Sequence, residues 1–535
     1  MSNSAMTVTA PSYKAAAAAQ QTWILRAALI ALVLAAGVWP LLVGSPAPLQ
    51  DWPNHLARVH ILNALLQGGS GWDRFYTVSS FAVPNLALDL GVLGLIRLGL
   101  PEAVAGQVFL ILTYAVFVSG FVALARRFGP VGPGRVALGV AMFLCGPLFW
   151  GLVNYMFAVG LMMALLAVWL AAGPRGRVAV ALLGTGALFF CHLIATVAFV
   201  ASLSLLELVG IARAPGPWAR RLRGNATALA ALAVLAALLA RAPSDPSSRF
   251  GWHEPMSLYW FFRWKMVIFV QWAINGGTWP VRAVTGAGVV ATAVAAVWAR
   301  PRPRVAYGAL AVVAGLGLIA FLAPEHIGGG SLLDDRLALL PPLLLAAAAQ
   351  PNLRRPRAAA VASGLMVALA VARAATLAAV WLGPAAEFRA YDAAVARLAP
   401  GTMVVMSNAR ALARVRWPEF WSLPYTSIET QAVFHGDFVP MIFANPAQQP
   451  LALRPEFAGM NQPIDLTTAQ DVKDASERIR GMCAHGFPGV AITVLYADPA
   501  RRFTDPAGAS VELYGTPNIR LLDGCRLAGA VPSAK

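Results

Sequence analysis

Apolar residues run in long, barely interrupted blocks over the first 384 positions and in short alternating patches after them. A helix crossing a bilayer needs about 20 apolar residues, fewer where the bilayer thins. By that measure the pattern predicts eleven spans: 23–43, 103–125, 136–153, 155–172, 178–191, 192–211, 226–240, 281–298, 305–322, 337–349 and 358–382. Eleven to 13 crossings fit the pattern. The gaps between blocks hold basic clusters at Arg126/Arg127/Arg135, Arg175/Arg177, Arg213/Arg220/Arg221/Arg223, Arg300/Arg302/Arg304 and Arg354/Arg355/Arg357. All fall on one side if the spans number eleven and the N-terminus is cytoplasmic, as the excess of Lys and Arg in cytoplasmic loops requires. The segment 81–100 is apolar but carries Pro84, Asp89 and Arg97. A crossing there would put Arg126 and Arg127 outside, so a re-entrant or interfacial helix is predicted instead.

Beyond Ala385 the periods become those of a water-soluble fold. Helices are predicted over 387–398 and 468–484, and strands at 402–406, 490–495, 511–513 and 519–522. The fold class is therefore mainly α, a polytopic transmembrane helix bundle with a C-terminal soluble α/β domain. It divides into a cytoplasmic tail (1–22), a membrane domain (23–384) whose first external loop is 44–83, and an extracytoplasmic domain (385–535).

Composition sharpens this. The chain is 58% hydrophobic and 12% charged, against about 25% charged in soluble proteins. Its net charge of +17 lies wholly in the membrane part: residues 385–535 hold 14 basic and 14 acidic groups, and the first 384 hold 27 and 10. Such charge orients loops, and no basic face interleaved with aromatics points to nucleic acid. Positions 1–21 lack an apolar core with a cleavage site, so the first block reads as a retained signal anchor. Cys145 and Cys191 lie in apolar blocks and read as packing residues. Cys483 and Cys525 are either a disulfide, if their domain is extracytoplasmic, or two free thiols.

With this topology one face collects the polar groups. The first loop opens Gln50-Asp51-Trp52-Pro53-Asn54-His55-Leu56-Ala57-Arg58. A helix here would put Asp51, His55 and Arg58 on one side, with Asp51 as N-cap and Pro53 in the first turn. The plain alternative is an interfacial loop with a capping Asp and a snorkelling Arg. An ionised Asp51 can act as a general base or ligate a divalent cation that holds a phosphate. Asn154 and His192 sit at turns between spans, where polar groups are costly and often functional, although a hydrogen-bonded helix end explains either. The loop 241–280 mixes Trp252, Tyr259, Trp260, Arg263, Trp264 and Lys265, and suits a helix in the headgroup region. Glu254 beside His253, and Glu325 beside His326, offer a carboxylate or a metal ligand without zinc-site spacing. The turn Asp334-Asp335-Arg336 leads into a span. Its Arg suits bidentate phosphate binding, or it anchors in the membrane paired with an Asp. The C-terminal domain has no Gly-rich phosphate loop, CxxC or HExxH and reads as a docking or structural cap.

These stretches resemble the GT-C superfamily of integral-membrane glycosyltransferases, in particular bacterial members related to the dolichyl-phosphate-mannose and aminoarabinose transferase group. The resemblance lies in the architecture and in two places: Gln50 to His55 in the first loop, and Asp334-Asp335-Arg336-Leu337 in the late loop. It implies a polyprenyl-phosphate sugar as donor, a glycan, lipid or protein as acceptor, and a seat in the bacterial inner membrane. Catalysis would fall to Asp51 with His55, phosphate binding to Arg336 with Arg58, and the remaining contacts to Asn154, His192, Glu254, Asp334 and Asp335. Many relatives pair acidic residues in the first loop, whereas Asp51 stands alone until Asp73. A requirement for Mg or Mn is left open by that difference. A transporter or flippase of lipid-linked glycans, or a non-catalytic assembly protein, would use the same cavity; the chain shows no internal repeat of spans.

Overall fold

The computed structural model describes residues 13–68, 71–215, 227–241, 258–274, 306–325, 332–349, 356–408, 425–466, 469–495 and 511–530, with 283, 286 and 287. Among these, five helices are long and apolar enough to cross a membrane: Trp23–Leu42, Glu102–Phe128, Val153–Ala171, Leu193–Arg213 and Arg357–Val395. The predicted span 281–298 lies almost wholly outside the described residues.

In chain order, α1 (Tyr13–Val38) is followed in the first loop by α2 (Trp52–Gln67) and, after a short strand, by α3 (Ala87–Arg97). At 11 residues, α3 rises about 16 Å, too little to cross, as the interfacial reading of 81–100 expects. Then come α4 (Glu102–Phe128), α5 (Pro133–Phe143), the single turn α6 (Gly146–Phe149) and α7 (Val153–Ala171). The bundle continues with α8 (Pro174–Cys191), α9 (Leu193–Arg213), α10 (Thr227–Arg241), α11 (Leu258–Ile274) and α12 (Tyr307–Leu322). It ends in α13 (Leu333–Ala338), α14 (Leu340–Ala348) and α15 (Pro356–Val395).

Small residues set the closest crossing. A Cβ on Gly120 of α4 would lie 2.0 Å from the carbonyl oxygen of Gly160 in α7. Backbones meet there because nothing larger than glycine fits, the usual device where lipid offers no hydrophobic drive for helix pairing. Polar groups inside the bundle close helix ends. Glu207 on α9 accepts from the amides of Thr227 and Ala228, at 2.8 and 2.9 Å, and caps α10.

The block 136–153 departs from the single span predicted for it. The chain leaves helical geometry at Leu144 and Cys145, forms one turn from Gly146-Pro147, and passes Gly151 at φ +76° before α7 begins. Pro147 removes a backbone donor, and Gly151 adopts a conformation that side chains disfavour. A break at membrane depth survives only where protein satisfies the freed groups. Here Arg373, buried on α15, donates from Nε to the Leu144 carbonyl at 2.7 Å.

The composition change at Ala385 falls inside α15, which runs on without interruption. Its Ala370, Ala374, Leu377 and Trp381 pack in the bundle core, and its Phe388, Tyr391 and Val395 in a second core. That core surrounds a five-stranded mixed sheet. The first loop contributes β1 (Tyr76–Val78); the C-terminal region adds β2 (Met403–Asn408), β3 (Leu451–Leu453), β4 (Ile464–Asp465), β5 (Val490–Leu495), β6 (Glu512–Gly515) and β7 (Ile519–Asp523). The sheet order is β4-β2-β5-β7-β6, parallel through the first three strands and antiparallel after them. The sheet is flanked by α16 (Ala469–Ala484) and α17 (Gly524–Ala530), and a disulfide between Cys483 and Cys525 joins these two helices.

β1 pairs antiparallel with β3, apart from the main sheet. Beside it, Phe75 stacks on Phe438 at 4.2 Å between ring centres, and the Tyr76 hydroxyl donates to the Val439 carbonyl at 2.5 Å. The first loop and the C-terminal domain therefore share one core, a union that their separation in sequence conceals. Asn54 on α2 ties the same junction, donating to the Met441 carbonyl at 3.2 Å and accepting from the Phe443 amide at 2.8 Å.

Candidate active site

The break between α5 and α7 positions Asp51. The amides of Gln50 and Asp51 donate to the carbonyls of Phe149 and Trp150 at 2.9 and 3.1 Å, a short ladder between the first loop and the broken helix. A Cβ on Gly151 would sit 2.6 Å from the Asp51 nitrogen. Asp51 occupies the N-cap position of α2, yet its side chain makes no capping bond. The residue type is right for a cap and the carboxylate is not spent on it. Burial raises that carboxyl from 3.8 to about 7, against the pull of the Arg336 charge. Near neutrality such a group is poised to take a proton.

Arg336 approaches from α13. The turn is fixed by the Tyr155 hydroxyl of α7, which donates to the Arg336 carbonyl. It is fixed again by Lys265 of α11, whose ammonium meets Asp334 at 2.6 Å and the Ala323 carbonyl at 2.6 Å. Leu332, just before the helix, stands at φ +57°; a non-glycine residue held in the left-handed region is strain of the kind that gathers at functional sites. Burial presses the Arg336 pKa down while Asp51, Tyr155 and Asp335 hold it up, in that order after burial. A guanidinium stays charged throughout, so one fixed positive charge stands among these groups.

Two imidazoles complete the group. His55 lies one turn into α2, its ring edge-on to Phe443 at 5.2 Å. Burial, then the charges of Arg58 and Arg336 and the neighbouring His192, lower its pKa well below 6.5. It is neutral at pH 7, and its buried Nδ1 has no hydrogen-bond partner among the described residues. His192 caps α9, with Nδ1 accepting from the Ile194 amide at 3.2 Å, which leaves the proton on Nε2. Its ring meets Tyr155 at 5.2 Å.

Asp51, His55, His192, Asp335 and Arg336 thus converge, and three other expected residues are engaged elsewhere. Arg58 departs from the phosphate-binding expectation: it forms a bidentate pair with Asp89 of α3, at 2.8 and 2.9 Å, with neither side chain exposed. A charge between apolar helices requires a counter-charge, and Asp89 supplies it. Asn154 departs too. Its amide bridges the Asn85 carbonyl at 2.8 Å and the Leu88 amide at 2.7 Å, stapling the entry of α3 to α7. Asp334 is bound to Lys265, so its role is to hold α13. Glu254 lies outside the described residues.

Sequence reading missed Tyr155, Lys265 as an anchor, Arg373 and Asn54. A charge within an apolar helix was the available signal for Lys265 and Arg373; Tyr155 offers none. Among the described residues no group of three or more His, Cys, Asp or Glu could hold a metal ion. The chemistry these residues present is a half-buried acid near its midpoint, a fixed cation acting on it, and neutral imidazoles.

No family model matches the chain, and no curated relative matches it. Among solved structures, ArnT from Cupriavidus metallidurans in the apo state aligns with a TM-score of 0.52 at 15% identity, covering 96% of this chain and 99% of that one. The same protein bound to undecaprenyl phosphate aligns at 0.49 and 13% identity, over 94% and 98%. Over nearly its whole length this chain has the fold of ArnT, a GT-C glycosyltransferase.

Proposed function

We propose that this protein is a membrane glycosyltransferase that moves a sugar from a polyprenyl-phosphate donor to a glycan, lipid or protein acceptor outside the cytoplasm. The observation that carries this reading is Asp51: a half-buried acid at a helix start that caps nothing, raised by desolvation to a pKa of about 7 against the charge of Arg336. The fold shared with ArnT supports a donor of the kind that protein binds, undecaprenyl phosphate.

In this reading Arg336 holds the donor phosphate. The acceptor hydroxyl gives its proton to Asp51 as its oxygen attacks the anomeric carbon from the opposite side. The bond from that carbon to the phosphate oxygen breaks, and polyprenyl phosphate leaves with its charge on Arg336. The anomeric centre inverts. His55, neutral, orients the acceptor or the acid. Rate enhancement comes from placement and from charge complementarity in a water-poor site. Since no described cluster fits a cation, no step is routed through one. The Cys483–Cys525 disulfide supports an oxidising compartment for the C-terminal domain, hence a periplasmic position, a cytoplasmic N-terminus and a place in the bacterial inner membrane.

The deciding experiment supplies purified protein in membranes with radiolabelled polyprenyl-phosphate sugars and an envelope extract as acceptor. Label leaving the lipid in wild type but not in Asp51→Asn is the expected result. Label that crosses the bilayer while still on the lipid would make the protein a flippase.

A further inference from the structure

Two adjacent acids on α13 are treated differently by the fold. Asp334 is fully buried and satisfied, with the Lys265 ammonium on one oxygen and the Asp335 amide on the other. Asp335 is 2% exposed, and both of its carboxyl oxygens are buried without a hydrogen-bond partner among the described residues. Its neighbour Arg336 likewise keeps a buried Nε without one. Buried polar atoms in native proteins are nearly always satisfied, and each exception calls for an explanation. The explanation consistent with a ligand site is that the ligand brings the missing partners.

The unsatisfied atoms specify that ligand by complement. Arg336 offers donors and calls for an anionic acceptor. Asp335 calls for donors, and it and Asp51 both act on the same guanidinium. Burial, then the Asp334 and Glu325 carboxylates, push its carboxyl up to about 8, the response of an acid that no donor holds. In either protonation state at least one oxygen still lacks a partner.

Resting on the glycosyl-transfer reading, we infer that Asp335 is the specificity residue for the sugar: it receives hydrogen bonds from hydroxyl or amino groups of the donor's sugar ring while Arg336 holds the phosphate. A glycosylated polyprenyl phosphate satisfies both residues. The product, bare polyprenyl phosphate, satisfies Arg336 alone and leaves Asp335 unpaired again. The site therefore prefers substrate to product, and transfer of the sugar itself weakens the hold on the spent lipid.

The test measures binding to the full chain in lipid nanodiscs. The probes are undecaprenyl phosphate and a panel of undecaprenyl phosphates carrying glucose, mannose, arabinose or aminoarabinose. Wild type should bind at least one glycosylated lipid more tightly than the bare one. Asp335→Ala should lose about 10- to 100-fold for that lipid, as expected for the loss of two hydrogen bonds, and change less than about 3-fold for bare undecaprenyl phosphate. Asp335→Asn, nearly isosteric, should fall between, and it decides the matter should the alanine variant misfold. Equal losses on both lipids, or none on either, overturn the assignment of Asp335 while leaving glycosyl transfer standing, as does a wild type with no preference for the glycosylated form. A wild type that binds neither lipid overturns the glycosyltransferase reading and this inference with it.

Discussion

The amide of Asp51 donates to the carbonyl of Trp150 at 3.1 Å, so the acid of the first loop is held by a segment that lies where a membrane helix breaks. The register continues in Gln50 with Phe149, and Gly151 supplies the clearance. The position of the carboxylate thus depends on the backbone of a neighbouring segment.

Gly151→Ala tests that dependence. A methyl 2.6 Å from the Asp51 nitrogen, at φ +76°, forces one strand of the ladder to move. A displacement of about 1 Å in a catalytic group costs about 100-fold in rate. Transfer should fall by about that factor, while affinity for bare undecaprenyl phosphate, which the proposed mechanism assigns to Arg336, stays near wild type.

The pH dependence follows from Asp51. Only its ionised form accepts a proton, so the rate should rise with pH and level off above about 7. The linkage has the opposite sign for stability. The folded-state pKa lies above the unfolded value of 3.8, so the protonated acid favours folding below that value and this contribution is lost as pH climbs through about 7. Asp51→Asn should therefore abolish transfer, by about 100-fold or more, and unfold at a higher temperature than wild type at pH 8. At pH 4 the two should melt alike.

Arg58 and Asp89 make a third, separable prediction. Arg58→Ala leaves a buried carboxylate unpaired, at a cost of about 3–5 kcal/mol. The double variant Arg58→Met/Asp89→Leu replaces both charges with apolar volume and should recover most of that loss in thermal unfolding. Its affinity for undecaprenyl phosphate should match wild type, because the guanidinium is already engaged by Asp89.

Arg373→Leu strands the Leu144 carbonyl at the helix break. The loss of that bond should cost about 1–3 kcal/mol of stability. If Arg373 positions the ladder under Asp51, the turnover number falls more than the Michaelis constant changes, and Arg373→Lys restores part of it. A purely structural Arg373 would lower melting temperature alone.

The membrane part was legible because a bilayer admits few solutions: backbone groups without water must close on themselves, so long apolar blocks become helices. Two inner strands were legible at 402–406 and 490–495, where β-branched runs sit between turns, and they appear as β2 and β5. Asp51 stood out by its place after the first block. Partner choice was not legible. Arg58 finds Asp89 31 residues away and Asn154 finds Leu88 66 residues away, and no local pattern announces such pairings. The break after Phe143 left a trace in Gly146-Pro147, which the apolar run masked. The cysteine pair stayed ambiguous until geometry joined it. The continuity of α15 through Ala385 was hidden because composition reports the solvent around a helix and not where the helix stops.

The pairing of β1 with β3 imposes an order on the protein's biogenesis. The hydroxyl of Tyr76 meets an acceptor 363 positions later, so the early loop cannot find its mate until the ribosome has made the last bundle helices and much of the terminal region. Until then the segment carrying Asp51 lacks half of its frame. A nascent chain stalled midway would hold the acid without the core that frames it, and the site would stay unfinished until translation is complete.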